Sequence, residues 1–455
     1  MKSYLNKFFK IEERNSSFSK EIIAGIIMFF AIIYTIPVNT SLIAKTGMSE
    51  DAAFTVTAVV SALTTLLIGL VTNRSFVMAS GAGMNAFFVF TLSGALGYSW
   101  QEALGIVLVS SIIFFVLSMS GIRTKIVNAI PQDLKFAISA ALGLFLAFIG
   151  LNMGGVITHD VNSLVKLGDI TNPVVLLSLF GILLVLILSV LPTKINRFAI
   201  VIAMLVTAGL GLLLGAFGVE NMPSFNFETK VNFKETFGVA FLNFDVLLNP
   251  KTYPLIISCL FVQLFDATGS VVAIGSDMGI IDDEGNLIDA KKIVFSDSAS
   301  LLIANTFGGL SSITVAESAV AVKNGARTGL ASVVVSILIL STLVTFPIFS
   351  IFSTITIDGV SYTPVTSLAL IYIGIMLFSN IKKIDFDNLI IVITSFIIII
   401  MTVFTYSIVN GLGIGFIAYI LLMIASKRGR EVHWVIHLIT VFYIASFVLD
   451  YLLIH

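Results

Sequence analysis

Two short stretches decide how this chain is read: ASGAGMNAFF, Ala79–Phe88, and GGLSSITVAESAVAV, Gly308–Val322. Both lie inside apolar runs, and both carry helix breakers, Gly81 and Gly83 in the first and Gly308, Gly309, Ser311 and Ser312 in the second. Irregular backbone at membrane depth is tolerated only where it is buried in protein or lines a cavity. Two interrupted segments at corresponding places in the two halves of a chain are the best sequence pointer to a midplane binding site. The rest of the sequence must then supply the membrane and the two halves.

Composition supplies the membrane. The 455 residues are 57% hydrophobic and only 11% charged, with a mean hydropathy of +1.06. Soluble domains carry about 25% charged residues, so a cytosolic enzyme, a nucleic-acid binder and a disordered chain are excluded. The formal net charge of −1 implies no polyanionic partner. The single cysteine, Cys259, forms no internal disulfide. The four histidines give no basis for a metal site or a His proton relay within the spans.

A bilayer-crossing helix needs about 20 mostly apolar residues. The first such run begins at Glu21, after five basic residues and without a cleavage pattern, and reads as a retained span. Apolar segments follow near 51–72, 76–97, 100–120, 134–156, 172–192 and 198–218. A polar stretch, 219–252, separates them from segments near 253–276, 293–308, 312–322, 328–352, 364–381, 388–406 and 408–426. A last apolar segment, 433–454, either spans or lies in the interface. With residues 1–20 placed in the cytoplasm, twenty basic residues fall on the inside and five outside, a strong positive-inside bias. The 219–252 loop is then external. Seven segments in each half (21–218 and 253–455) put the halves in opposite orientations, which predicts an inverted repeat. Aligning Glu21 with Tyr253 offsets the halves by 232 residues and lays Asn85 on Glu317.

Few polar groups interrupt the apolar runs. An ionised carboxylate at the bilayer centre is costly, so one found there defaults to function. Glu317 sits among small residues (Thr314, Ala316, Ser318, Ala319), and Asp266 lies in CLFVQLFDATGSVVA, three residues after Gln263. The alternative for each is a buried, hydrogen-bonded packing role. Asp297, near the cytoplasmic end of its segment, reads as a structural or interfacial charge. Asn85 and Gln263 carry amides that offer both donors and acceptors, a match for the adjacent donors and acceptors on a purine edge. Interhelical bonding worth about 0.6–2 kcal/mol per bond is the competing reading. Phe87, beside Asn85, is a candidate stacking partner for a planar ligand, against a role in core packing. A helix starting after Gly83 or Ser312 would aim free N–H groups and a positive dipole end at the cavity.

With these residues quoted, the chain resembles the AzgA-like adenine/guanine/hypoxanthine permeases, a branch of the nucleobase–ascorbate transporter superfamily. EIIAGIIMFFAIIYTIPVN, GAGMNAFFVFTL, GIRTKIVNAIP followed by ALGLFLAFIGL, LFDATGS, TVAESAV, NGARTGL and TYSIVNGLGIGFIAY occur in the family's order across nearly the whole chain. The resemblance implies an all-α polytopic fold of about fourteen transmembrane segments in two inverted seven-segment repeats. Broken segments 3 and 10 would carry short strands. A core domain would hold segments 1–4 and 8–11, and a gate domain segments 5–7 and 12–14. It further implies that Asn85, Gln263 and Glu317 bind the base, with Phe87 and Thr314 beside them, and that Asp266 and Glu317 serve proton coupling or gating. The sequence departs from the family where Gln263 replaces an expected acid in Val262–Ala267, and where Ser80, Thr40 and Thr402 replace expected prolines. The chain reads as a divergent member.

The expected function is import of a purine base (guanine, hypoxanthine or adenine) across the cell membrane by proton symport with alternating access, without a cofactor. The same fold moving uracil, xanthine or an inorganic anion is the alternative. Partners are then the base, the lipid bilayer and, as a further expectation, a second copy in a homodimer. No P-loop, His–acid metal motif or Ser/His/Asp set lies within the spans, which argues against an enzyme.

Overall fold

The computed structural model describes residues 2–161, 163–192, 194–228, 230–277, 289–315 and 317–454. Ala316, one of the small neighbours of Glu317, lies outside the described residues.

Every apolar run read from the sequence carries helix, and local chemistry sets where each begins and ends. A short helix, α1 (Lys2–Phe9), precedes the first run. That run forms α2 (Phe18–Ile32) and α3 (Thr35–Ala44) rather than one rod. Pro37 explains the break: it has no N–H for the Ile33 carbonyl, and its ring crowds that carbonyl. Ser49 caps α4 (Glu50–Thr72), which closes at Asn73 in the left-handed region. Ser99 and Glu102 form a reciprocal capping box at α6 (Trp100–Met119). Pro173 occupies the first turn of α9 (Pro173–Val190), capped by Asn172.

The first half continues through α7 (Ile122–Ala129), α8 (Gln132–Met153) and α10 (Ala199–Ala216). The polar 219–252 stretch holds one turn of α-helix, α11 (Val239–Leu242), and two 3-10 turns, Phe244–Leu248 and Pro250–Thr252. It laces onto the bundle through Asn232 N–H to Thr55 Oγ1 (3.0 Å) and Gly238 N–H to the Thr306 carbonyl (2.8 Å). The second half contains α12 (Tyr253–Asp277), α13 (Ala290–Phe307) and, further on, α15 (Leu330–Ser341) and α16 (Phe346–Phe349). Then come α17 (Ser367–Phe378), α18 (Leu389–Phe404), α19 (Ile408–Ala425) and α20 (Trp434–Ile454). Among the described residues, seven helical stretches are long and apolar enough to cross a membrane, and an eighth if the pair Leu330–Ser341 and Phe346–Phe352, bent by 83°, is one span.

The two interrupted stretches hold strands. β1 (Met78–Ala79) leads into α5 (Ala82–Ala86), which continues as a π-helix over Phe87–Ala95. β4 (Ile313–Thr314) leads into α14 (Ser318–Lys323). Two hairpins carry no sequence expectation: β2 (Ile157–Asp160) with β3 (Leu164–Leu167) after α8, and β5 (Ile355–Ile357) with β6 (Val360–Tyr362) after α16.

Packing sorts the helices into neighbourhoods. α15 lies on α2 and α4, α13 on α4 and α6, and α12 on α6; α8 lies along α17 and α18, α18 on α19, and α9 on α10. The α8–α17 crossing is close because Gly143 faces Gly374. A Cβ on either would overlap the other helix's backbone, the small-residue contact expected of membrane helices. α20 packs against α12 and α19, with Tyr443 stacked on Phe261 and Phe416.

Candidate functional site

The site is built where the two broken stretches meet. β1 and β4 pair antiparallel, with Met78 opposite Thr314 and Ala79 opposite Ile313. Two residues per strand make a weak ladder, so side chains complete it. Ser318 Oγ accepts from Val77 N–H at 3.0 Å, and Val77 O accepts from Val315 N–H at 3.2 Å. Thr65 Oγ1 accepts from Met78 N–H (2.9 Å) and donates to the Met78 carbonyl (3.1 Å). Ser311 Oγ accepts from Gly81 N–H (3.1 Å), and Ser312 shares a 2.6 Å hydrogen bond with Thr64. Serine and threonine at these positions satisfy backbone that neither helix nor water can serve.

Asn85 stands on α5, just past this crossing, and is fully buried. Its Nδ2 donates to Asn39 Oδ1 of α3 at 2.6 Å, and its Oδ1 accepts from Ser80 Oγ at 2.9 Å. Asn39 in turn donates from Nδ2 to the Thr35 carbonyl at 2.7 Å.

Glu317 immediately precedes α14 and is partly exposed within the molecule. The Tyr34 hydroxyl, at the α2–α3 break, donates to its Oε1 at 2.6 Å. Tyr372 of α17 approaches from another neighbourhood of the bundle, close enough to interact electrostatically with both Glu317 and Tyr34. The break in the first segment therefore supplies a partner to each half of the crossing: Tyr34 to Glu317 and Asn39 to Asn85.

Asp266, on α12, reaches the start of α5. Its carboxylate accepts the Met84 backbone N–H, one of the donors a first helical turn leaves unused. The half-helix was expected to aim such donors at a ligand; here a carboxylate of the chain takes one of them. Gly81 makes this approach possible, since a Cβ there would overlap the Asp266 carboxylate. A Cβ at Gly83 would lie 3.3 Å from the same oxygen.

The other expected site residues are placed differently. Gln263 directs its amide at α6, donating from Nε2 to Ser111 Oγ (3.0 Å) and accepting from Ser110 Oγ at Oε1 (3.3 Å). Asn305 of α13 donates to the same Ser111 Oγ at 2.9 Å, so one amide–hydroxyl network joins α6, α12 and α13. Phe87 is fully buried in the apolar interior, at the junction of α5 and the π-helix. Thr314 is fully buried in β4, and its Oγ1 has no hydrogen-bond partner among the described residues. Asp297 is a structural charge, as its position suggested: it pairs with Arg123 of α7 at 2.9 Å, both nearly fully buried, with the guanidinium also over the Phe114 ring at 4.6 Å.

Sequence reading did not single out Tyr34, Asn39 or Tyr372. Tyr34 and Asn39 lie within EIIAGIIMFFAIIYTIPVN, but their partners are 283 and 46 residues away. An aromatic group was also missed. Tyr406, at positive φ between α18 and α19, packs against Phe90, Phe145 and Phe148, and its carbonyl accepts from Thr91 Oγ1 at 3.3 Å.

Comparison with known proteins bears on what this geometry serves. A profile of the Permease family matches residues 19–414. The chain is 34% identical to the guanine/hypoxanthine permease PbuG of Bacillus subtilis, over 98% of this chain and 99% of that one. It is 33% identical to a putative permease of Methanocaldococcus jannaschii over 98% of each chain. It is 28% identical to the adenine permease AdeQ of Escherichia coli over 94% of this chain and 93% of that one. Among solved structures, the transmembrane domain of the cyanobacterial bicarbonate transporter BicA superposes with a TM-score of 0.64 at 12% identity, covering 87% of this chain and 97% of that domain. SLC26A9 superposes with a TM-score of 0.57 at 13% identity, covering 90% of this chain and 65% of that one. At such identities the structural likeness is one of fold, that of membrane transporters. The chain belongs to the Permease family, as a divergent member of its adenine/guanine/hypoxanthine branch, and is a multi-pass membrane transporter rather than an enzyme.

Proposed function

We propose that the protein imports a purine nucleobase across the cell membrane, coupled to protons, with its N-terminus in the cytoplasm. The observation that carries the reading is the β1–β4 crossing with Asn85 on one arm and Glu317 on the other, each held by the broken first segment. The relatives whose names specify guanine, hypoxanthine or adenine support the substrate class. Guanine and hypoxanthine each offer a carbonyl acceptor beside a ring N–H donor, and adenine a ring-nitrogen acceptor beside an amino donor. Asn85 would donate to the acceptor, Glu317 would accept from the donor, and the unpartnered Thr314 hydroxyl would take a further edge position. Phe87 would back this surface from the interior.

Fourteen segments in two inverted repeats would divide into a core (segments 1–4 and 8–11) and a gate (segments 5–7 and 12–14). Rocking of one against the other would expose the site to either side. Glu317 would carry the proton on Oε1, with the Tyr34 hydroxyl turned to accept it, so that Oε2 stays an acceptor for the base. Asp266 would couple the cycle to the half-helix α5, because its protonation weakens a charge-assisted bond to Met84 N–H. Gln263 would act through the network with Ser110, Ser111 and Asn305 rather than as a proton carrier, since an amide does not titrate.

Uptake of radiolabelled hypoxanthine by a host lacking its own purine carriers tests the reading. Saturable uptake that collapses when the proton gradient is dissipated is the expected result. Uptake that ignores the gradient removes proton coupling, and no uptake of any purine base removes the substrate assignment.

A further inference from the structure

We propose that Asn39 is a specificity-determining residue: it fixes the orientation of the Asn85 amide, so that the site accepts a planar heterocycle only when its edge offers an acceptor to Asn85 and a donor to Glu317. The inference rests on the base-import reading and names the edge pattern that reading requires.

The chain of bonds begins at Thr35. Its backbone carbonyl can only accept, so the Asn39 atom 2.7 Å away must be the amide nitrogen. Asn39 Oδ1 is then the atom turned toward Asn85, and the Asn85 atom 2.6 Å from it must be a donor, Nδ2. That leaves Asn85 Oδ1 facing Ser80, whose hydroxyl donates to it at 2.9 Å. Turning the Asn85 amide over would set two oxygens against each other at the Asn39 contact. Turning Asn39 over would do the same against Thr35. Asn39 and Asn85 are 5% and 0% exposed, so water cannot relieve either clash. The chain of bonds therefore has one consistent direction.

The consequence is a fixed donor. An asparagine free to rotate end for end presents either an N–H or a carbonyl at nearly the same place, and discriminates poorly between edges of opposite pattern. Here the second N–H of Asn85 Nδ2 is the group left over. Five residues before Asn39, at the break in the first segment, Tyr34 occupies Glu317 Oε1 and leaves Oε2 as an acceptor. One segment thus arms a fixed donor and a fixed acceptor on the two sides of the crossing.

Three variants read this out in hypoxanthine uptake, with competition by guanine, adenine and unsubstituted purine. N39D, kept protonated by its burial, would donate its O–H to the Thr35 carbonyl, keep an acceptor toward Asn85 and keep the wild-type order of competitors. N39L removes the acceptor. Its KM for hypoxanthine should rise about tenfold, and the spread of inhibition constants across the panel should shrink by a similar factor, with Vmax near wild type. N39S serves where N39L does not reach the membrane: its hydroxyl bonds back to the Thr35 carbonyl and is too short to reach Asn85, so it should behave like N39L. Wild-type KM and competitor order in N39L or N39S overturn the role of Asn39 while import itself stands. A wild-type protein that takes up no base overturns the import reading, and this assignment with it.

Discussion

The hydroxyl of Tyr34 donates to Oε1 of Glu317 at 2.6 Å, joining the break in the first segment to the start of α14 across 283 residues of sequence. Neither residue has an independent reason to sit where it does. Pro37 interrupts the helix and frees Tyr34 to point inward, while the β1–β4 pairing brings Glu317 to meet it.

Substitution at Glu317 separates binding from coupling. E317A should lower purine uptake at least about a hundredfold, because a bond to a charged group and the proton carrier are lost together. E317Q keeps an acceptor for Tyr34 and loses the titratable proton, so any remaining uptake should not respond to collapse of the proton gradient. Unchanged uptake in E317A, at equal surface expression, would remove Glu317 from the site.

Tyr34→Phe deletes one hydrogen bond to a carboxylate, worth about 1.5–3 kcal/mol. Glu317 then loses its orientation, and KM should rise at least about tenfold while the protein remains folded in detergent. A KM equal to wild type would show that Glu317 needs no such support.

Asp266→Asn leaves an oxygen for Met84 N–H and removes the titratable carboxyl. Net uptake should fall by at least about tenfold, in line with the loss of a charge-assisted bond, while exchange of labelled for unlabelled base across the membrane persists. Loss of both activities to the same degree would assign Asp266 to base binding instead. Gly81→Ala is a second probe of the same contact, since its Cβ overlaps the carboxylate, and should lower both transport and thermal stability.

Gln263→Leu should lower the unfolding temperature without a matching change in KM. It strands the hydroxyl of Ser110, at about 1–3 kcal/mol for a buried group left unpaired, while Ser111 keeps its bonds to Asn305 and to the Val107 carbonyl. A large rise in KM at wild-type stability would return Gln263 to the list of base contacts. Gln263→Asp tests the same point from the other side, by adding the acid that the resemblance leads one to expect there.

Arg123→Ala leaves Asp297 buried with no cation paired to it among the described residues, and breaking such a pair costs about 3–5 kcal/mol. Thermal unfolding in detergent should show the loss. Adding Asp297→Asn should recover part of it, because the stranded charge goes too. Equal unfolding temperatures for R123A and wild type would leave the pair without a structural role.

The membrane class, the placement of the apolar runs and the two odd stretches were legible in the sequence because they rest on composition and on local breakers. Gly81, Gly83 and the Gly308–Ser312 run lack the side chains and propensities that would keep a helix going. The carboxylates Asp266 and Glu317 stood out because so few charges interrupt the apolar runs. The roles of neighbours were harder. Gln263 reads equally as a ligand or as an interhelical bridge, because an amide suits a purine edge as well as it suits a serine hydroxyl; the serines it meets lie on the facing helix, α6. The hairpins at 157–167 and 355–362 carry no strong alternation and went unread.

By itself the sequence determined that this chain lives in a bilayer and breaks two of its segments around buried polar groups. Hydrophobicity and helix breaking are properties of consecutive residues, and consecutive residues are what a sequence records. The tertiary structure decided which polar groups meet: Tyr34 with Glu317, Asn39 with Asn85, Asp266 with Met84, and Gln263 with Ser110 and Ser111. A hydrogen bond requires two atoms within about 3 Å and a suitable angle, and that condition is set by how distant segments pack, not by how far apart they stand in the chain.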